Sequence, residues 1–120
     1  MLRKIAKLPA SVVAFKARGT VSAEDYESQL VPAVEAALKR HKKIRFLYHL
    51  GPAFSSFSFG ALWDDARVGF GHLGAWERIA VVTDVEWIRL ALHTFSFVMP
   101  GRIRVFPNRQ LAAAKRWIVS

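Results

Sequence analysis

Short runs of β-branched and aromatic residues alternate with segments of helical periodicity along most of the chain. The clearest run covers residues 78–83, whose apolar centre at residues 79–82 is typical of a strand buried inside a parallel sheet. Similar runs occupy residues 12–18, 44–50 and 103–106. Parallel strands must be joined by crossovers, and the helical segments supply them. The pattern therefore predicts a mostly parallel sheet with helices on both faces.

Residues 2–8 precede this alternation and are predicted to form an edge strand. The connection at residues 9–11 is too short for a crossover, so this strand should pair antiparallel with the next one. We therefore expect one layered α/β domain over residues 1–120, with about five strands and an antiparallel N-terminal strand.

The first helix is predicted between Ser22, a good N-cap residue, and the basic run that ends at Lys43. Its apolar stripe has the spacing of one helix face and consists of Tyr26, Leu30, Val34 and Leu38. Pro32 lies inside this stripe, so the early turns of the helix should be kinked or irregular.

The remaining boundaries follow from turn chemistry. Gly51 and Pro52 are expected to end the strand 44–50, and residues 53–60 have no clear period. A second helix should then begin near Leu62, although Gly69, Gly71 and Gly74 weaken it. A third helix follows residues 83–84 and a fourth follows residues 107–108.

The chain is strongly basic, with a formal net charge of +9, which favours an anionic partner. The densest cluster contains Lys39, Arg40, Lys42 and Lys43. We predict that these residues contact anionic head groups at a membrane surface. The alternative is that they only stabilise the end of the first helix. A nucleic-acid partner is not expected, because no stacking aromatic residues are interleaved with the cluster.

Several classes of protein are excluded or disfavoured by what the sequence lacks. There are no cysteines, so disulfides and cysteine nucleophiles are excluded. Charges interrupt every apolar run near the N-terminus, and no apolar run is long enough to span a bilayer. We expect a cytoplasmic protein, with peripheral membrane association as an option.

The most unusual segment places five large apolar residues where the chain should leave the third strand. They are Phe54, Phe57, Phe59, Leu62 and Trp63. We predict that they contact a ligand or a membrane interface, as a lid over an apolar pocket. The alternative is that they cover the sheet as part of the core.

No catalytic group is predicted. The four histidines, His41, His49, His72 and His93, lack metal-ligand spacing. Asp64 and Asp65 are adjacent, so on a helix they point in different directions and form no acid–base pair. In the first turn of the second helix their stabilising interaction with the helix dipole would account for them. We therefore expect no enzymatic activity, no cofactor and no metal.

Three motifs together resemble the SpoIIAA-like family of bacterial proteins. They are residues 19–26 (GTVSAEDY), 63–66 (WDDA) and 80–88 (AVVTDVEWI), with 99–101 (MPG) and 105–106 (VF) fitting the same order. The resemblance implies a variant of the STAS fold, which has been compared with the CRAL-TRIO lipid-binding fold. It brings few functional residues with it.

The wider STAS group includes anti-sigma-factor antagonists, whose switch serine lies in an Asp-Ser-x-Gly turn after the third strand. The comparable region here holds Ser55, Ser56 and Ser58 without an Asp-Ser pair. These serines are candidates for phosphorylation. The phenylalanines between them shift the expectation from a phosphoswitch toward apolar binding.

The leading hypothesis is thus a non-enzymatic domain that binds an apolar or lipid-like small molecule, with or without peripheral membrane association. The alternative is a STAS-type interaction module that recognises a protein partner or forms a homodimer. Its surface would comprise the first helix and residues 55–60. An enzyme of unrecognised type is the third hypothesis.

Overall fold

The sheet contains five strands in the computed structural model, which describes residues 1–97 and 101–120. The strands lie side by side in chain order: β1 (Leu2–Lys4), β2 (Val12–Val21), β3 (Ile44–Phe57), β4 (Trp76–Thr83) and β5 (Arg102–Phe106). β1 pairs antiparallel with β2, and the other neighbours are parallel. The predicted fold is confirmed, although β1 is shorter than the predicted 2–8. Met99 and Pro100, which contributed to the family resemblance, lie outside the described residues.

β3 continues well beyond its predicted end, so the prediction that Gly51 and Pro52 stop it is wrong. Its pairing with β2 resumes after a register shift, with Gly19 opposite Phe54 and Val21 opposite Phe57. The shift accommodates a proline, which cannot donate to a regular ladder. On the other side, the pairing with β4 ends at Leu50. Residues 54–57, which lie in the segment without a clear period, are therefore strand.

The first helix, α1, is continuous but irregular. It consists of an α-helical turn (Ala23–Asp25), a π-helical segment (Tyr26–Leu30) and an α-helical segment (Val31–Arg40). Ser22 caps it, since its Oγ accepts a hydrogen bond from the Asp25 amide at 3.2 Å. The π-helical segment lies directly before Pro32, which confirms the predicted irregularity of the early turns.

The other helices are α2 (Phe59–Gly71), α3 (Glu86–Phe95) and α4 (Leu111–Val119). α2 begins three residues before its predicted start, because Ser58 acts as its N-cap and accepts from the Ala61 amide at 3.1 Å.

The helices divide unequally between the two faces. Right-handed crossovers that step along a sheet in one direction place their helices on the same side. Accordingly, Tyr26 and Leu30 of α1, Ala61 of α2 and Ile88 of α3 belong to one core cluster. The C-terminal helix covers the opposite face through Ala114 and Ile118, which pack with Leu47, Val82 and Phe106. Helices on both faces are thus confirmed.

Candidate functional site

A cavity of about 310 Å³ lies between the sheet, α2 and α3. Its floor is the face of the sheet that carries Phe46, Tyr48 and Leu50, which share one side because alternate residues of a strand do. Ile79 and Val81 of β4 continue this floor. The walls include Leu62 and Val68 from α2, and Ile88 and Leu92 from α3. The cavity is therefore almost entirely apolar.

One polar cluster interrupts this lining. Tyr26 of α1 donates a hydrogen bond from its hydroxyl to Oδ1 of Asp65 at 2.8 Å. The same hydroxyl lies 3.0 Å from that of Tyr48. A phenol has one proton, and that of Tyr26 is engaged with the carboxylate, so Tyr48 must donate to Tyr26. Both phenolic protons therefore point along one chain of hydrogen bonds that ends on Asp65.

Burial raises the pKa values of this cluster. It is the main cause that raises the pKa of Asp65 above its usual range, and the hydrogen bond from Tyr26 opposes the rise. The pKa values of Tyr26 and Tyr48 are also raised, mainly by burial, so both phenols stay protonated at neutral pH. Asp65 nevertheless remains accessible to solvent. We attribute this access to the cavity, which the residue lines.

Sequence reasoning missed the role of Asp65. Because α2 begins at Phe59, neither Asp64 nor Asp65 lies in its first turn, and the prediction that they serve there as helix-dipole partners is wrong. Their divergence is confirmed: Asp64 is buried and lies 3.9 Å from Arg67, whereas Asp65 contacts Tyr26. The available signal was Tyr26 itself, since a tyrosine in a buried stripe needs a polar partner.

The five predicted aromatic and apolar contacts separate into two groups. Phe57 and Leu62 line the cavity, and Phe54 packs against Phe57 with ring centroids 4.9 Å apart. Phe59 and Trp63 instead point outward, with 89% and 64% of their surface exposed.

An aromatic residue that sequence reasoning did not select lies on the other side of the cavity. Trp87 of α3 lines the cavity while remaining half exposed, and so does Leu62 of α2. These two residues form the rim between α2 and α3.

The three candidate serines are not equivalent. Ser55 and Ser56 are exposed on the last residues of β3, and the Ser56 hydroxyl lies 3.5 Å from that of Thr20. Ser58 is the N-cap of α2. Its hydroxyl therefore already has a structural partner.

The basic cluster lies away from the aromatic segment. Lys39 and Arg40 end α1, and Lys42 and Lys43 precede β3, whereas the phenylalanines lie at and beyond its far end. A strand rises about 3.3 Å per residue, so the length of β3 separates the two groups, which lie at opposite ends of this strand. The structure thus does not bring them together.

Lys43 instead joins a second, polar cavity of about 320 Å³ with Arg45, Arg78 and Arg102. Two of these arginines donate hydrogen bonds to backbone carbonyls at the C-terminal end of α4. Arg45 donates to the Ile118 carbonyl at 2.9 Å and pairs with Glu77 at 2.6 Å. Arg78 donates to the Trp117 carbonyl at 2.7 Å. Their charges therefore already stabilise a helix C-terminus.

The described residues also bear on two other classes of site. Within residues 1–97 and 101–120, no three histidine, aspartate or glutamate side chains gather as metal ligands. None of the helices in those same ranges is long and apolar enough to cross a membrane.

Comparisons with known proteins agree on the fold. The SpoIIAA-like family model matches residues 12–119. A crystal structure of an uncharacterised protein of the DUF3478 family from Shewanella loihica PV-4, described as having a SpoIIAA-like fold, is 27% identical with a TM-score of 0.76. The match covers 98% of this chain and 92% of that one. Comparison with the curated proteins gives no match. The resemblance identified from the sequence is confirmed.

Proposed function

This chain belongs to the SpoIIAA-like family, and on that premise we propose that its domain works by binding a small apolar or amphipathic molecule rather than by catalysis. The observation that carries the proposal is the cavity between the sheet, α2 and α3. At about 310 Å³ it lies at the small end of ligand pockets, which run from about 300 to 1,000 Å³. Its apolar walls and single polar cluster match the usual composition of such sites.

The energy available from this cavity sets the expected affinity. Transfer of a CH₂ group from water to an apolar site contributes about 0.8 kcal/mol. A chain of about eight carbons would gain roughly 6 kcal/mol, which corresponds to a Kd of tens of micromolar. Ordering the ligand weakens this value, and a polar contact strengthens it. We therefore expect micromolar to low-millimolar binding of simple amphiphiles.

A neutral fluorescent probe tests this proposal directly. N-phenyl-1-naphthylamine should bind saturably, at one molecule per chain, and Trp87 should report its arrival because the indole lines the cavity. Ala66→Trp should fill the cavity and abolish binding, since Ala66 lines it. The matched control is Ala36→Trp, on the exposed side of α1. Absence of saturable binding to the wild-type protein, or equal binding by both variants, would reject the proposal.

We also propose that the exposed aromatic pair Phe59 and Trp63 on α2, the helix that forms one wall of the cavity, contacts a membrane surface. Phe59 and Trp63 are four residues apart on α2, so they share one side of the helix, and both are exposed. Exposed aromatic side chains partition into the bilayer interface.

Vesicle co-sedimentation separates this second proposal from the first. Vesicles of phosphatidylcholine with phosphatidylglycerol should retain the protein, and the double variant Phe59→Ser with Trp63→Ser should lose this retention. Val119→Ser removes an exposed apolar side chain from α4, on the opposite face, and should have no effect. If wild-type protein is not retained, the exposed pair is better explained as a surface for a protein partner, while the cavity proposal stands.

A further inference from the structure

The polar groups of the cavity can accept hydrogen bonds from a ligand, but their donors already have partners within the protein. Tyr48 donates to Tyr26, and Tyr26 donates to Oδ1 of Asp65, so both phenolic protons are already used. The indole N–H of Trp76, which also lines the cavity, donates to the Gly69 carbonyl at 3.1 Å. An ionised carboxylate only accepts. The polar end of the cavity therefore offers acceptors.

The electrostatics of the cavity point the same way. Of the lining residues that the structure describes, Asp65 alone carries a formal charge. Tyr26 and Tyr48 are the titratable groups that face it from α1 and β3. Arg67, on the same helix, lies against Asp64 rather than Asp65. No cationic side chain among the lining residues that the structure describes therefore accompanies the Asp65 carboxylate.

We infer that the occupant of the cavity is a small hydrophobic amine, whose protonated nitrogen donates to Asp65 while its apolar body lies against the sheet. This inference rests on the proposed function and names its ligand class. An ammonium group supplies both the donor and the charge that the cavity lacks. The aromatic rings of Phe46, Tyr48, Phe57 and Trp76 line the same space, and ring faces attract cations.

A protonated amine has the same sign of charge as the whole protein. With a net charge of +9, long-range attraction favours anionic ligands such as fatty acids. Inside the cavity, however, a ligand carboxylate would approach Asp65 with no cation between them. Exposed charges are screened over about 8 Å at physiological salt, whereas a charge in direct contact is not. The local carboxylate should therefore decide the preference.

A matched series of eight-carbon ligands tests this preference. Octylamine, octanol and octanoate share one apolar body, and each would compete with N-phenyl-1-naphthylamine at pH 7 and 0.15 M salt. We expect octylamine to compete at least tenfold better than octanoate, with octanol between them. Asp65→Asn should reduce the advantage of the amine to less than threefold while the probe still binds. Asp64→Asn neutralises the adjacent carboxylate, which does not line the cavity, and should keep the wild-type order.

The possible outcomes distinguish the proposed binding function from the assignment of an amine as the ligand. If the probe does not bind wild-type protein, the proposed function fails and this inference fails with it. If the probe binds but octanoate equals octylamine, or if Asp65→Asn keeps the preference, only the amine assignment is overturned. Should Asp65→Asn not fold, the pH dependence serves instead. Octylamine binding by wild-type protein should weaken as falling pH protonates Asp65, whose pKa is raised, whereas octanol binding should not.

Discussion

Replacing Tyr26 by phenylalanine removes one oxygen atom from a side chain with no solvent exposure. The Tyr48 hydroxyl, on a residue only 6% exposed, then loses its acceptor. A buried donor without a partner costs about 1–3 kcal/mol. Asp65 loses a donor as well, but water in the cavity can replace it, at a cost of up to about 1 kcal/mol. We expect Tyr26→Phe to lower the free energy of unfolding by about 2–3 kcal/mol.

Tyr48→Phe should lower the free energy of unfolding by less than Tyr26→Phe does. In Tyr48→Phe, the Tyr26 proton remains bound to Asp65 and only an acceptor interaction is lost, which is worth about 0.5–1.5 kcal/mol. The double variant leaves no unpaired phenol, so its loss should fall short of the sum of the single losses by about 1 kcal/mol.

Urea denaturation followed by far-UV circular dichroism gives these differences directly, provided the m value stays constant. The proposed direction of the hydrogen bonds predicts that Tyr26→Phe lowers the free energy of unfolding more than Tyr48→Phe does. A loss below about 0.5 kcal/mol for Tyr26→Phe, the reverse order, or simple additivity would each refute the reasoning.

Three further changes have expected outcomes. Gly101→Ala should lower stability by about 1–3 kcal/mol, because its Cβ would overlap the Trp76 carbonyl oxygen. Gly74→Ala is the control, because a Cβ at Gly74 would meet open space. Equal unfolding midpoints for Gly101→Ala and Gly74→Ala would contradict the packing argument. Asp65→Asn should become more stable relative to wild type as pH rises from 4 to 8. A carboxyl with a raised folded-state pKa loses its stabilising contribution as pH rises through that pKa, and a pH-independent difference in Tm would be evidence against this. The pKa of His49 is lowered, mainly by burial, so wild-type stability should fall as pH drops below about 6.5. His49→Gln should flatten this part of the Tm profile, and an unchanged slope would exclude His49 as its cause.

The fold was accessible from sequence because its evidence is local. Apolar runs of strand length, such as residues 78–83, alternate with helical segments that supply the crossovers between parallel strands. Capping is equally local, and Ser22 caps α1 as its sequence context predicts. These signals act over a few residues, so no knowledge of distant contacts is needed to interpret them.

The errors arose where a distant segment decides the structure. Gly51 and Pro52 have the local chemistry of a turn, but β2 continues alongside them and pairs with Phe54 and Phe57. The bulge at Gly19, with φ of 59°, allows that pairing, and it lies more than thirty residues earlier in the chain. Tertiary pairing here overrides local turn preference.

The site itself was inaccessible for a related reason. Asp65 and Tyr26 are 39 positions apart, and no local pattern indicates that they meet. Local reasoning assigned Asp65 a stabilising role near a helix start, whereas burial in the cavity raises its pKa and makes its charged form unfavourable. Tyr26 nevertheless donates a hydrogen bond to this carboxylate and accepts one from Tyr48, which extends the chain of hydrogen bonds. Natural proteins accept such local costs mainly at functional sites. The physical argument that makes Asp65→Asn gain stability relative to wild type as pH rises is therefore the same one that makes Asp65 the best candidate for contact with a ligand.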